Sequence, residues 1–274
     1  MRWREIFIFV KELFRRINED EVLAVSSQLA YSFLFAFFPF MIFLISLLSF
    51  TNLDSAELLA GLQHLLPRSV YDLIYKTIKE VMGMRSGGLV SFGLIMALFS
   101  AANGFQAVIR GLNKAYDVKE HRGFIKLQLI AITSTLGLVF IIIAAFVLMV
   151  FGKVNGDILL LHFGVEIYFI RLWNALRYVI IFFIMMLVLS VLYNLIPSRR
   201  LSWKGVMPGT LFATIGFVLC SEGFAYYINN FNSYAMIYGS IGAVIIFMTW
   251  LFFVSVILLV GGEINASLFL KAGN

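Results

Sequence analysis

The chain has 274 residues, of which 61% are hydrophobic and 13% are charged, and its formal charge is +6 at pH 7. An average soluble domain is about 45–50% apolar and about 25% charged, so this chain has too few charges to cover a water-facing surface. The composition excludes a cytosolic enzyme, a disordered chain and a disulfide scaffold. It predicts an all-α polytopic membrane protein, because a segment inside lipid must satisfy its own backbone hydrogen bonds.

Residues 1–29 predict an amphipathic helix on the cytoplasmic side of the membrane. Apolar residues recur there at helical spacing, and basic residues occupy the other side of the helix. Two interpretations remain open: the apolar face lies in the membrane interface, or it packs against the transmembrane bundle. The apolar face consists of Trp3, Ile6, Phe7, Val10, Leu13, Phe14 and Ile17.

Six apolar stretches are each long enough for a membrane span, which needs about 20 predominantly apolar residues. Together they hold 150 residues but only four charges. Six crossings place both termini on one side, where the segments outside the spans hold 13 Lys and Arg in 58 residues, against 6 in 66 on the other side. The positive-inside rule therefore predicts cytoplasmic termini. The predicted spans are 30–53, 89–112, 127–151, 174–196, 206–228 and 238–268.

Two features accompany these spans. Residues 54–88 predict an outer segment of two short helices, and residues 269–274 predict a cytoplasmic tail. Small residues recur at every fourth position in the second and fifth spans, a pattern that lets helices approach closely in lipid. Packing within one chain and a contact between copies in a homo-oligomer are both open interpretations. The small residues are Gly93, Ala97 and Ala101 in the second span, and Gly205, Gly209 and Ala213 in the fifth.

A few polar side chains interrupt the predicted spans, and such residues are functional hypotheses because polarity inside a bilayer is costly. In the second span, Asn103, Gln106 and Arg110 fall on one helix face. In the sixth span, Glu263 and Asn265 lie at a similar depth near the cytoplasmic end. The pattern predicts a polar path inside the bundle.

The four charges within the spans predict two ion pairs at the ends of this path. Arg110 is expected to approach Glu263 at the cytoplasmic end, and Arg177 to approach Glu222 at the outer end, because an unpaired charge in lipid is expensive. The alternative is that all four side chains simply reach the lipid headgroups.

The sequence offers no catalytic constellation. The three histidines, His64, His121 and His162, lie in three different loops, and none has a partner at metal-ligand spacing. No phosphate-binding loop that ends in Gly-Lys-Ser/Thr occurs. Asp117 and Glu120 stand near His121, and the favoured interpretation of this group is a solvated turn. The sequence therefore predicts no enzyme, no metal and no cofactor.

Three stretches of sequence resemble the YihY/BrkB family of bacterial inner-membrane proteins, formerly labelled ribonuclease BN. They are Leu29–Phe50 (LAYSFLFAFFPFMIFLISLLSF), Asn103–Gln128 (NGFQAVIRGLNKAYDVKEHRGFIKLQ) and Leu192–Leu268, which includes LYNLIPSRRLSWKGVMPGT, YGSIGA and GGEINASL. The family often has Arg after the tryptophan of the third stretch; here Lys204 follows Trp203 and keeps the charge. The resemblance implies six spans, cytoplasmic termini and a location in the bacterial cytoplasmic membrane. It implies no settled activity.

Three functions compete at this point. The first is a transporter or flippase for a lipid or other amphiphile, which the intramembrane polarity and the basic cytoplasmic rim favour. The second is a non-catalytic membrane scaffold or accessory protein, in which the same polar residues serve packing. The third is a ribonuclease, but the sequence lacks the carboxylate or histidine cluster that RNA cleavage usually needs. Membrane lipids, with anionic headgroups at the cytoplasmic face, are the expected partners, and no specific nucleic acid is expected.

Overall fold

The computed structural model describes residues 3–48, 87–137, 140, 167–199, 201–230 and 233–272. Within these ranges the chain is helical and contains no strand. Most of the predicted outer segment 54–88, and the second half of the predicted third span, lie outside the described residues. The helices are α1 (Trp3–Glu19), α2 (Val22–Leu48), α3 (Gly87–Ala115), α4 (Phe124–Gly137), α5 (Ile167–Leu195), α6 (Trp203–Asn230) and α7 (Ser233–Ala272).

The prediction of an all-helical membrane protein is confirmed. Four described helices contain stretches long and apolar enough to cross a membrane: Val22–Phe40, Ser91–Ala115, Trp203–Ile228 and Val244–Leu270. Two shorter apolar helical stretches, Phe124–Gly137 and Val179–Leu195, overlap the remaining two predicted spans. The total of six spans thus depends partly on residues outside the described ranges.

The first helix ends earlier than the predicted segment 1–29. Helix α1 stops at Glu19 and α2 already begins at Val22, so a sharp turn separates them. Glu21 adopts a positive φ of 53°, and its amide donates to the carbonyl of Asn18 at 3.1 Å. The turn has neither Gly nor Pro, which are the residues that usually mark a helix end in sequence, and helical periodicity alone therefore did not reveal it.

The bundle core lies where α2 packs along α3 and where α7 packs against α2, α3 and α6. Two glycines that the small-residue pattern did not include bring these helices close together. A Cβ on Gly104 of α3 would lie 3.2 Å from the Phe33 ring of α2, and a Cβ on Gly111 would lie 2.8 Å from Leu259 of α7. A side chain at either position would therefore require Phe33 or Leu259 to shift.

Helices α6 and α7 make a backbone-to-backbone contact at Gly209. A Cβ on Gly209 would collide with the carbonyl oxygen of Gly261, and a Cβ on Gly261 would collide with the Tyr193 hydroxyl. The amide of Gly209 donates to Oδ1 of Asn265 at 2.6 Å. Gly209, which the small-residue pattern singled out, thus packs within the chain. A contact between copies of the chain is not tested by this observation.

Three connecting segments and the end of one helix meet at one end of the bundle, which we call the α1 end. The segments are the turn after α1, the α3–α4 loop and the α5–α6 loop, and the helix end is the last turns of α7. For example, Arg122 in the α3–α4 loop donates to the carbonyl of Ile196 at 2.9 Å, and the guanidinium of Arg199 lies 4.8 Å from the Phe269 ring centre. This is the arrangement that alternating membrane crossings require, and it brings the charged residues of four segments together.

Candidate functional site

A buried ion pair lies at the α1 end, between α1 and α7. The Glu263 side chain is 1% exposed and that of Arg16 is 10% exposed, and Arg16 Nε lies 3.2 Å from Glu263 Oε2. Glu263 follows Gly261 and Gly262, whose missing side chains let neighbouring groups approach α7 closely. The carboxylate therefore lies in a tightly packed region of the bundle. Its cationic partner, Arg16, belongs to the amphipathic helix α1.

The C-terminus of α3 supplies two further partners for Arg16. Arg16 Nη2 donates to the carbonyl of Ala115, and Nη1 lies 3.4 Å from Asp117 Oδ2. Asp117 adopts a positive φ of 53°, and the amides of Asp117 and Val118 bond back to the carbonyls of Lys114 and Asn113. This is the Schellman arrangement that ends many helices, usually with Gly at the left-handed position. Here Asp occupies that position and its carboxylate reaches Arg16.

Asp20, in the turn after α1, is the third carboxylate beside Arg16. Its Oδ2 lies 3.8 Å from Arg16 Nη2, and its side chain is 13% exposed. Burial raises the pKa of Asp20, while the positive charge of Arg16 opposes that rise. Burial works against the charged form of Arg16, but the negative charges of Glu263 and Asp117 raise its pKa. Arg16 therefore remains a cation, among more carboxylates than it can neutralise.

Two buried polar atoms lie near this cluster; neither makes a hydrogen bond of good geometry to the described residues, but they are close enough to interact with each other. They are the Tyr116 hydroxyl and Nδ2 of Asn265. Burial raises the pKa of the Tyr116 hydroxyl, and the charge of Glu263 acts on it in the same direction. Together with the buried pair of Arg16 and Glu263, these polar groups make this end of the bundle a candidate site.

A second network at the α1 end joins the α3–α4 loop to the α5–α6 loop. Arg122 Nη2 lies 2.7 Å from Glu120 Oε2, and Asn113 Nδ2 donates to the same carboxylate at 2.8 Å. Asn113 Oδ1 accepts the amide of Ser198 at 2.8 Å. The hydrogen bond from Arg122 is the main cause that lowers the pKa of Glu120 to about 2. The interpretation as a solvated turn suits Asp117, whose side chain is 62% exposed, but not Glu120, which is 24% exposed and belongs to this network.

The predicted polar face of α3 points away from the core. Asn103 and Arg110 are exposed among the described residues, and Gln106 donates to Gln128 of α4 at 2.6 Å. The core face of α3 instead carries Ala102, Phe105, Ile109 and Leu112. The predicted Arg110–Glu263 pair does not form, because Arg110 is exposed whereas Glu263 of α7 is buried and has Arg16 beside it.

The second predicted pair lies partly outside the described side chains. The backbone of Arg177 belongs to α5, but its side chain is not described. Glu222 is exposed on α6. The structure therefore leaves a pairing of Arg177 with Glu222 as a prediction.

Sequence reasoning placed Glu263 and Asn265 in the site but missed Arg16 and Asp20. Both missed residues lie at the end of the amphipathic helix, outside the spans where charged residues were sought. Their i, i+4 spacing puts them on one helix face, at the edge of the apolar stripe. This position beside the apolar stripe was the sequence feature that could have indicated that Arg16 and Asp20 contact the bundle and not water.

An open groove lies between α3, α4 and α5, close to the α1 end. Its volume is about 300 Å³ and its lining is mostly apolar. Thr133 and Ser134 contribute hydroxyl groups, and Gly137 lies at the groove wall with no atom within 4 Å of an added Cβ. Ile196, whose carbonyl accepts the hydrogen bond from Arg122, also lines the groove. A cation thus lies directly beside an apolar cavity.

Within the described ranges, no three His, Cys, Asp or Glu residues are placed to share a metal ion.

Comparison with known proteins agrees with this architecture. The profile of the family described as Virulence factor BrkB matches residues 13–273. The chain is 40% identical over 260 residues to the putative ribonuclease-like protein YfkH of Bacillus subtilis, covering 95% of this chain and 94% of that protein.

Other relatives are named only as membrane proteins. A UPF0761 membrane protein of Alteromonas mediterranea is 26% identical over 280 residues, which cover 97% of this chain and 88% of the relative. A UPF0761 membrane protein of Vibrio vulnificus is 26% identical over 267 residues, covering 95% and 82%. No solved structure matches the chain. A profile match over nearly the whole length and a relative of 40% identity show that the chain belongs to the BrkB family of membrane proteins.

Proposed function

We propose that this protein binds a lipid or other amphiphile with an anionic headgroup and moves it across the bacterial cytoplasmic membrane. The observation that carries the proposal is the groove between α3, α4 and α5, because it is apolar and open and has the guanidinium of Arg122 at its border. In this proposal the α1 end faces the cytoplasm, as the asymmetry of Lys and Arg between the loops predicts.

The surroundings of the groove fit an amphiphile better than a polar solute. An acyl chain would lie along the apolar wall, and its headgroup would lie at the end where Arg122 borders Ile196. Lys126 is exposed on α4, about 10 Å before Thr133 at the rise of an α-helix. Arg199 follows Ile196 by three residues and is also exposed. Basic side chains near a membrane surface attract anionic headgroups.

Two further features support an amphiphile that moves between leaflets. Helix α1 leaves Phe7 and Phe14 of its apolar face exposed, which suits a helix lying in the membrane interface. A second groove, of about 520 Å³, lies between α6 and α7 and is lined by Phe224, Tyr227 and Phe253 among others. Phe253 precedes Glu263 by ten residues, about 15 Å along α7, so the second groove lies away from the α1 end.

A non-catalytic scaffold or accessory role is the second candidate. The contact at Gly209 and Gly261 supports it, because α6 and α7 approach there until no side chain fits between them. Such a contact favours a rigid frame over helices that separate during transport.

The proposal includes no ribonuclease activity, although a relative carries a ribonuclease-like name. The carboxylates of Asp117 and Glu120 are engaged by Arg16 and Arg122, and the Glu263 side chain is only 1% exposed. RNA cleavage needs metal-binding or acid–base groups that the RNA can reach, and these three carboxylates do not supply such a set.

Lipid movement in proteoliposomes tests the proposal. Vesicles would contain phosphatidylglycerol or phosphatidylcholine with a fluorescent label near the headgroup. An impermeant quencher would report how much labelled lipid lies in the outer leaflet. The measurement would be made with and without an imposed pH gradient. We expect labelled phosphatidylglycerol to cross faster than in protein-free vesicles, and faster than labelled phosphatidylcholine. Gly137→Leu should slow it several-fold, because an added Cβ at this position meets no atom within 4 Å and the rest of the side chain would take up space in the groove.

Gly223→Leu is the matched control. Gly223 is an exposed helical glycine with nothing within 4 Å of an added Cβ, and it lies outside the α3–α4–α5 groove. Lipid movement should be unchanged in this variant. Equal rates with and without the protein, for both lipids and under both conditions, would favour the accessory role instead.

A further inference from the structure

The carboxyl groups of Glu263 and Asp20 share one edge of the Arg16 guanidinium. Glu263 binds at Nε and Asp20 lies nearest Nη2, and these two nitrogens form the edge that normally holds a single carboxylate in bidentate fashion. Both carboxyl groups are buried and lie against the same guanidinium, since their side chains are 13% and 1% exposed. Two ionised carboxylates that share one buried cation repel each other, as in the carboxylate pairs that hold a proton between them.

The charges that face this pair do not balance if every acid is ionised. Helix α1 contributes Arg16, and the end of α3 contributes Asp117, whose side chain is 62% exposed and therefore hydrated. Lys114 reaches toward the turn but is engaged by Glu21 at 3.1 Å. One buried cation thus faces two buried carboxylates, Asp20 and Glu263, and the surplus is one negative charge.

The remaining polar neighbours do not supply a second cation. The Tyr116 hydroxyl, one residue beyond the end of α3, lies near Glu263 and near Nδ2 of Asn265, and both of these atoms are buried. The Tyr193 hydroxyl of α5 donates to the carbonyl of Leu258 at 2.7 Å. These neutral groups can donate a hydrogen bond to an ionised carboxylate or accept one from a protonated carboxyl group, but they cannot neutralise a charge.

We propose that Asp20 and Glu263 hold one proton between them, and that they form a proton-binding site enclosed by α1, α3 and α7. The proton removes the surplus charge and leaves one carboxylate for Arg16. Loss of the proton leaves two adjacent carboxylates, and their repulsion acts on the turn that joins α1 to α2. The site is independent of the proposed lipid transport and can exist whether or not the protein moves a lipid.

Infrared difference spectroscopy of the purified full chain in detergent tests this proposal. The carbonyl stretch of a protonated carboxyl group is separate from the bands of carboxylates and amides, and at neutral pH the exposed acids do not contribute to it. We expect this band in the wild-type protein at neutral pH and its disappearance at alkaline pH. Glutamate and aspartate with isotope-labelled carboxyl groups, incorporated separately, should each shift the band, because both side chains hold the proton.

Variants assign the band to the two residues. Glu263→Gln and Asp20→Asn should each abolish it, since either substitution leaves Arg16 with one buried carboxylate. Asp117→Asn, which removes a hydrated carboxylate on the same arginine, should keep the band. A wild-type spectrum without the band at neutral pH would overturn the proposal, as would a band that survives Glu263→Gln or Asp20→Asn in folded protein. Should a variant not fold, the wild-type titration and the isotope shifts decide, and a band that shifts with only one label overturns the proposal.

Discussion

Two arginine-centred networks lie at the same end of the bundle and differ in charge balance. Arg122 pairs with one carboxylate, Glu120, whose remaining acceptor positions are filled by Asn113 and by a backbone amide. Arg16 faces Glu263, Asp20 and Asp117 together. A balanced, hydrogen-bonded pair fixes two loops relative to each other. A buried cluster with a surplus negative charge is stabilised by binding a proton or a cation. The Arg16 cluster is therefore the better candidate for a binding site.

The difference also lies in what each network joins. The Arg122 network connects loops that are adjacent at the bundle surface, α3–α4 and α5–α6. The Arg16 cluster joins the amphipathic helix to two transmembrane helices, through Glu263 of α7 and the end of α3. Polar contacts that are buried cost more to break than exposed ones. The position of α1 should therefore depend on the Arg16 cluster.

The largest expected effect is that of Arg16→Gln. The substitution leaves Glu263 buried without its cation, and breaking a buried ion pair on one side costs about 3 kcal/mol or more. We expect the free energy of unfolding, measured by chemical denaturation in detergent micelles, to fall by about 3 kcal/mol.

The neighbouring arginine provides the control for this prediction. Arg15 pairs with Glu12 and Glu19 on the exposed side of the same helix, and Arg15→Gln should leave the unfolding free energy unchanged within error. Equal effects of the two substitutions would mean that burial does not distinguish Arg16, and the comparison between the two networks would lose its basis.

A smaller effect is expected from Gly209→Ala, which tests whether packing or charge holds α7 in place. The new methyl group would collide with the carbonyl of Gly261, two residues before Glu263. Because a backbone carbonyl cannot move aside cheaply, overpacking should cost about 2 kcal/mol of unfolding free energy. Gly223→Ala, where an added Cβ meets nothing within 4 Å, is the control and should be neutral. A neutral Gly209→Ala would contradict the close α6–α7 contact.

The smallest effects concern the pH dependence of thermal stability, and the two networks should differ in sign. The pKa of Glu120 is lowered from 4.5 to about 2 in the folded protein. Its stabilisation is therefore present above the unfolded pKa and is lost as the pH falls from about 4.5 toward 2. The pKa of Asp20 is raised above 3.8, so the stabilisation from its bound proton is present below that value and is lost as the pH rises through the folded pKa.

Melting temperatures of the purified protein across the pH range check this difference. Glu120→Gln should flatten the loss of stability at acidic pH, and Asp20→Asn should flatten the loss at higher pH. The same pH profile in both variants would show that the two carboxyl groups do not have opposite environments, and the account of the Asp20 environment would then be incorrect.

Much of the fold followed from the sequence because lipid imposes simple rules. Long apolar segments with almost no charge have to form helices in a membrane, and small-residue spacing marked Gly209 as a close contact, which the structure confirms. The end of α1 was not predictable in the same way. It depends on a turn at Glu21 with a positive φ and no glycine, and periodicity carries no information about such a turn.

The candidate site was predicted in part. Glu263 stood out because a carboxylate in an apolar span is rare. Asn265 was included because it is a polar residue two positions further along the same span. The partner of Glu263 was misassigned because the criteria were depth and the helix face that Arg110 shares with Asn103 and Gln106, and neither criterion shows which way that face points. Only the rotation of α3 decides the matter: Ile109 faces the core and Arg110 is exposed. Arg16 belongs to a different helix, whose docking depends on tertiary structure.

A pair of double-mutant cycles tests most directly the claim that Arg16 joins α1 to α7 through Glu263. Unfolding free energies would be measured for Arg16→Gln, Glu263→Gln, Arg110→Gln and the two double variants that include Glu263→Gln. We expect a coupling energy of about 2 kcal/mol between Arg16 and Glu263, within the usual range for residues in one ion-pair network, and additive effects for Arg110 and Glu263. Additivity of Arg16 with Glu263, together with coupling between Arg110 and Glu263, would contradict the account.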